Sequence, residues 1–298
     1  MKLNFNPLFT LLFIISANCA FGKSLADTTK KDTDDKKASL KVGVDYVSNN
    51  VFMGRTGKTD IPIISPNIKY TFKPGIYIGG TADFLPNNAN HKLDGGDLNA
   101  GYEFDITDDL SGDVSYTKMF YNANSNQIGS AMSSVLNANF DYDISDIITP
   151  SVSVDYNINK QGINDDVFLQ FSLSHDIIFE KIFGDHDIFL ITPTAALNAG
   201  TQNFYDAYLQ KKVFKSAKRT AAQDKLISQF EAGVDQFKML DYELSVPIEY
   251  KAGHFIFQAT PEYDIVQNAF KSSTVAKSLG VADNPTVFYI TIGVALKF

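Results

Sequence analysis

The sequence predicts an all-β fold: a transmembrane antiparallel up-and-down β-barrel of about 12 strands with a partly helical long outer loop. Three observations predict it. Apolar and polar residues alternate strictly over segments of roughly 10 residues, the length a tilted strand needs to cross a bilayer. Short and long connections alternate along the chain. The last segment carries an apolar row that runs out to Phe298.

The N-terminus lies outside this pattern. Met1-Lys2 is a short basic start, and the apolar run from Leu8 to Ile15 is too short for a helical span, which takes roughly 20 residues. Ala20-Phe21-Gly22 fits a small-x-small cleavage site, so residues 1–22 read as a secretory signal peptide. The single cysteine, Cys19, falls inside it, and cleavage after Gly22 leaves no thiol for a disulfide. The alternative is a lipidated Cys19, although Asn18 stands where a small residue is usual. Residues 23–38 are polar and charge-rich, with Lys30 to Lys37 all charged but for Thr33, and read as a flexible periplasmic tether. Residues 39–298 are the barrel, with an outer-loop insertion at 200–237.

The first strand alternates Leu40, Val42, Val44 and Tyr46 with Lys41, Gly43 and Asp45. The next three run through Ile64 to Phe72, Ile76 to Phe84 and Leu98 to Phe104. Val114 and Tyr116 mark the fifth, Leu136 to Tyr142 the sixth, Val152 to Ile158 the seventh and Val167 to Leu173 the eighth. Ile188 to Ala199 is apolar on both faces and leaves its facing open. Leu240 to Tyr250, Phe255 to Tyr263 and Phe288 to Phe298 complete the set; merging or missing one leaves 10 or 14 as alternatives.

Tight-turn residues join alternate pairs: Lys73-Pro74-Gly75, Thr107-Asp108-Asp109, Ser145-Asp146 and Lys251 to His254. Longer loops fall between them, at Ser48 to Pro62, Pro86 to Gly95, Asn122 to Met132, Asn159 to Asp165, Gly200 to Phe237 and Ile265 to Pro285. Outer-membrane barrels have this asymmetry, with short periplasmic turns and long outer loops. The connection from Ile178 to Asp187 is longer than its side predicts. A soluble sandwich or lipocalin-like barrel also alternates, but its inner face is apolar.

The polar phase is acidic. Asp45, Asp83, Glu103, Asp113, Asp155, Asp241, Glu243 and Glu262 are lumen-facing candidates, joined by Asp97, Asp105, Asp141, Asp143, Asp176 and Glu249, against Lys41, Lys69 and Lys297. Such an excess favours cations, since lining charges set the sign of what passes. Solvation without selectivity is the bland alternative. In the insertion, Tyr205 to Gln210 and Thr220 to Ile227 have helix-forming composition. Lys211, Lys212, Lys215, Lys218 and Arg219 make it basic. It reads as solvated surface helix, with a fold over the barrel mouth against lipopolysaccharide phosphates as the sharper alternative.

Catalytic and metal chemistry finds little support. His91 lies in an outer loop and His175, His186 and His254 on the short-turn side. Ser174-His175-Asp176 point alternately along a strand and cannot form a triad among themselves. Metal-ligand spacing, phosphate loops and GxSxG are absent, so no cofactor is expected. A net charge of −8 argues against a nucleic-acid partner.

Gly293, Leu296 and Phe298 resemble the terminal assembly signal of Gram-negative outer-membrane proteins, with Ile292 in place of the usual polar residue. The stretch Asp45-Tyr46-Val47-Ser48-Asn49-Asn50-Val51-Phe52-Met53-Gly54-Arg55, followed by the Pro66 and Ile76-Tyr77-Ile78-Gly79-Gly80 strands, resembles the opening of a porin family of unknown function. The resemblance implies an outer-membrane location, lipid and lipopolysaccharide contact, and insertion by the barrel-assembly machinery. It supplies no substrate. The expectation is a porin-like channel for small neutral or cationic solutes. A closed structural or adhesive barrel is the alternative, and a lipid-modifying enzyme ranks behind both.

Overall fold

The computed structural model describes residues 37–57, 59–86, 92–161, 163–211, 220–268 and 285–298. The expected signal peptide, most of the expected tether, His91 and the basic residues Lys212, Lys215, Lys218 and Arg219 lie outside them. Strict alternation yields strands because successive side chains point to opposite faces. Twelve strands close the barrel: β1 Ser39–Val47, β2 Ile63–Thr71, β3 Ile76–Phe84, β4 Leu93–Asp105, β5 Leu110–Tyr121, β6 Met132–Tyr142, β7 Thr149–Asn159, β8 Asp166–Ser174, β9 Thr194–Gly200, β10 Lys238–Ser245, β11 Phe255–Val266 and β12 Thr286–Lys297.

Each strand pairs antiparallel with the next in sequence, and β1 pairs with β12 to close the sheet. At that seam Val42 faces Leu296 and Val44 faces Val294. Phe298 and Leu40 exchange two main-chain hydrogen bonds of 2.9 Å. Closure leaves the barrel without an unpaired edge, as a sheet in hydrocarbon must.

Two sequence-predicted strands are broken, and one predicted connection contains strand. Ile188–Ile191 is separated from β9 by Thr192-Pro193, and Ile248–Ala252 from β10 by Val246-Pro247. Proline lacks the ladder donor and interrupts each strand. Register is kept across both breaks: Ser245 faces Glu262, and Ile248 faces Ala259. The connection after β8 holds Ile177–Glu180, paired with Ile188–Ile191, so this hairpin extends the wall at the short-turn end. Its turn is organised by Asp187, whose carboxylate accepts from the Phe183 amide at 2.7 Å and the Tyr250 hydroxyl at 3.0 Å.

The outward phase is apolar all round. Val42, Val44 and Tyr46, Ile68 and Tyr70, Val114 and Tyr116, Leu169 and Phe171, Tyr242 and Leu244, and Ile292 and Val294 are exposed. The inward phase is polar. Aromatic rings gather near the short-turn rim, with Tyr70–Phe72, Tyr102–Phe104, Phe255–Phe257 and His254–Phe298 in ring contact.

The insertion corrects the surface-helix reading. Helix α1, Asn203–Leu209, is not a solvated surface element: Phe204, Tyr205, Tyr208 and Leu209 are buried. Their spacing puts all four on one helical face. Helix α2, Ala221–Glu231, packs on it through the buried Ile227 and through Phe230, whose ring meets Tyr205 edge to face. Asn203 to Leu209 has no side-chain cap of its own, and Asp166 of β8 supplies one, accepting from the Asn203 and Phe204 amides at 2.8 Å each.

Candidate functional site

The lumen wall is built from the inward residues of the twelve strands. Asp45, Asp83, Asp113, Asp155, Asp241, Glu243 and Glu262 are all buried inside the barrel, and Glu103 is part-exposed there. Asp94, Asp97, Asp141, Glu249 and Asp264 are buried with them. Asp105 is exposed at the rim. Many carboxylates are held by neutral donors. Asp45 accepts from Gln258 Nε2 at 2.8 Å and Asn67 Nδ2 at 2.7 Å. Asp155 accepts from Asn137 at 2.6 Å, Asp83 from Ser65 at 2.8 Å and Glu262 from the Tyr289 hydroxyl at 2.7 Å.

The wall is not uniform. On β6 to β11 the inward side chains are packed against one another: Ser153 is 3% exposed, Gln170 4% and Glu243 1%. On β1 to β5 the lower wall is part-exposed, through Lys41, Gly43, Asn67, Lys69, Gly79, Thr81, Asn99, Gly101, Glu103, Ser115 and Thr117. Their partial exposure marks a cleft along this wall, and glycines let neighbouring side chains lie close against it. Gly101 is needed because the Tyr77 ring lies where its Cβ would be, 2.4 Å away. Tyr77 thereby lies flat on the wall, and its hydroxyl donates to Asp113 at 3.3 Å.

The long-loop end is closed. The first outer loop turns inward as a small hairpin, Val51–Phe52 paired with Arg55–Thr56. Phe52 and Met53 pack with Ile128, Ala131, Met132, Phe168, Phe204, Tyr205, Tyr208 and Leu209 in one apolar cluster. Phe52, Phe168 and Phe204 meet edge to face, with centroids 4.8–5.6 Å apart. Three outer loops, one of them carrying a short 3-10 turn at Ile128–Ala131, thus form a plug within the mouth.

Arg55 fastens the plug. It is 2% exposed. Its guanidinium donates to Gln202 Oε1 at 2.7 Å, to the Met53 carbonyl at 2.9 Å, to the Leu240 carbonyl at 2.8 Å and to the Gln267 carbonyl at 2.9 Å. The planar fork of five donors suits such a convergent set of acceptors. Asn50 Oδ1 accepts from the Ile128 amide at 2.7 Å, and Gln127 Nε2 donates to Asp94 at 3.0 Å, so the 3-10 turn is tied down as well. Phe52, Met53 and Arg55 were legible only as a motif; an apolar pair followed by Gly-Arg within a polar loop is the signal that marks them.

Between α1 and α2 lies an outward-opening cavity of about 640 Å³, lined by Asn164, Asn203, Asp206, Gln210, Lys211 and Glu231 among others. Burial and the nearby Glu231 carboxylate raise the Asp206 carboxyl above its ordinary range, while Gln210 opposes them. Lys211 of the basic cluster is at this rim; near it, burial and then the Lys211 charge lower the Lys160 ammonium.

At the closing strand, Gly293 faces the lumen, where a Cβ would stand 2.0 Å from Asp45 Oδ1. Leu296 belongs to the outward row, and Phe298 is exposed and stacked on His254 at 5.1 Å. Among the described residues, no three His, Cys, Asp or Glu side chains are placed to hold a metal ion.

A closed sheet, apolar outside and polar within, has one stable setting. The protein is an outer-membrane β-barrel. It meets membrane lipid across its apolar belt, and its architecture is porin-like. No family model matches the sequence, and neither does any curated protein. Among solved structures it is similar to the KdgM porin, with a TM-score of 0.46 at 9% identity, covering 87% of this chain and 99% of that one. It is also similar to the NanC porin, TM-score 0.42 at 11% identity, over 87% and 100%. LpxR from Salmonella typhimurium gives 0.43 at 9% identity, over 87% and 99%.

Proposed function

We propose that the protein is a gated porin-like channel for small neutral or cationic solutes, closed at its outer mouth by the three-loop plug. The observation that carries this reading is the acidic interior. Buried carboxylates on nine of the twelve strands far outnumber the basic groups beside them. Removing so many carboxylates from water is costly even where neutral donors hold them, so the lining is read as attractive to cations. An inert barrel has no need of such a lining, and apolar packing would stabilise it better.

The plug itself favours a second reading, a closed barrel whose outer loops meet a partner or lipopolysaccharide through Lys211 and its basic neighbours. Planar-bilayer recording separates the two. The channel reading expects rare openings in the wild type, frequent openings in Arg55→Ala and a cation-selective reversal potential in a KCl gradient. Silence in both proteins at every voltage would sink it. We infer no catalytic role: His175 and His254 donate to the Ile147 and Lys297 carbonyls at the short-turn rim. Gly293, Leu296 and Phe298 are proposed as the contact with the assembly machinery.

A further inference from the structure

The cleft along β1 to β5 has a charge pattern that the acidic lumen as a whole does not. Lys41 on β1 faces Lys297 on β12 and Lys69 on β2, so three lysines stand in one inward row across neighbouring strands. Like charges directly opposite one another are unfavourable, and the row is balanced from the side. Lys69 Nζ reaches over β3, 3.9 Å above the Tyr77 ring, to Glu103 Oε1 at 2.6 Å. Asp113 lies beside them through Tyr77. Asp45, four residues along from Lys41 on the same face, has its oxygens occupied by Gln258 and Asn67. On its other flank the row meets the buried Glu249, which lies near Lys41 and 2.9 Å from Lys251, so the lysines stand between two acidic flanks, of which the Glu103 side is part-exposed. The Lys69 and Glu103 side chains are 31% and 29% exposed. A water-exposed pair of this kind is weak and readily exchanged for a solute's own charges.

We propose that this cleft is a periplasm-facing binding vestibule for a small zwitterionic solute, its carboxylate on the Lys41–Lys69 row and its ammonium on Glu103, with the buried Asp113 adding negative charge behind the Tyr77 ring. A simple anion meets Glu103, and a simple cation meets three lysines. A solute carrying both charges satisfies both walls at once and remains net neutral in the acidic lumen. Asn67, Thr81, Asn99, Ser115 and Thr117 supply hydroxyl and amide partners deeper in. The inference rests on the channel reading, whose periplasmic half it specifies.

The only cysteine is Cys19, so single thiols can be placed in full-length Cys19→Ala protein folded in detergent. Thr81→Cys and Thr117→Cys lie in the cleft; Ser153→Cys and Ser172→Cys lie on the packed wall. A neutral maleimide is expected to label the cleft pair about tenfold faster, since the packed pair reacts only on local opening. Glycine betaine is expected to slow labelling of Thr81→Cys severalfold, glycerol, tetramethylammonium and acetate to have little effect, and Lys69→Gln or Glu103→Gln to abolish the protection. Equal labelling of the two walls overturns the cleft, and equal protection by glycerol or by either single-charge ion overturns the ligand class. Each variant is first confirmed as folded by the gel-mobility shift between folded and unfolded barrel, and only folded protein is labelled. Protection that persists in a protein giving no conductance would fail the channel reading while leaving the vestibule standing.

Discussion

The two ends of the lumen are built on opposite principles. At the outer end, chain that belongs to loops turns inward and buries phenylalanine, methionine and one arginine. At the short-turn end no loop enters among the described residues, and β1 to β5 line a part-exposed polar cleft. The difference shows that strand number alone does not decide whether such a barrel is open. Closure here is a matter of a few loop contacts, while the wall beneath keeps polar side chains throughout.

The sharpest way to break the contrast is Arg55→Ala. It leaves the Gln202 side chain and the Met53, Leu240 and Gln267 carbonyls without their shared donor. Plug docking is expected to weaken by roughly 3–5 kcal/mol. Hydrogen exchange at residues 51–56 should rise sharply while the strands stay protected; unchanged exchange would deny the latch. Phe204→Ala removes the helix side of the aromatic cluster and is expected to cost about 3–4 kcal/mol in the same measurement. Unlike Arg55→Ala, it leaves every hydrogen bond of the latch in place.

Gly293→Ala tests the other end. Its Cβ would collide with Asp45 Oδ1, an overpacking cost of about 1–3 kcal/mol. The expected readout is a lower temperature for the gel-mobility shift between folded and unfolded barrel, with plug exchange unaltered.

The smallest effect concerns pH. Asp206 holds its proton more tightly in the folded mouth than in the unfolded chain, because of burial first and Glu231 second. The unfolded state binds fewer protons there, so docking weakens as pH rises through the raised value and strengthens on acidification, fully so below the ordinary carboxylate range. Limited proteolysis between α1 and α2 should slow from pH 7 to pH 4. Faster cleavage in acid would contradict the assigned cause.

Most of the wall was legible because period-2 alternation is a local property: Leu40 to Tyr46 shows its facing without reference to any other strand. The breaks at Pro193 and Pro247 were visible as prolines, but their effect was not, since in-register pairing across them depends on neighbouring strands. The plug was hidden for another reason. Phe52 and Met53 have no period, and their partners Phe168 and Phe204 are more than a hundred residues away in sequence. The acidic phase was read from alternation. Which part of it is packed and which is wet depends on side-chain volume around the ring, as at Gly101 and Tyr77, and a single strand does not carry that information.

The Arg55 latch also has a consequence in time. Two of its acceptors, Leu240 and Gln267, lie 185 and 212 residues further along the chain. The loop that carries Arg55 is therefore among the first segments to emerge and its contacts are among the last that can form, since widely separated contacts must wait for loop closure. A half-assembled barrel has an unlatched mouth, and the latch completes only when the late strands are in place. Arg55 in its seat is thus a built-in report that assembly has reached its end.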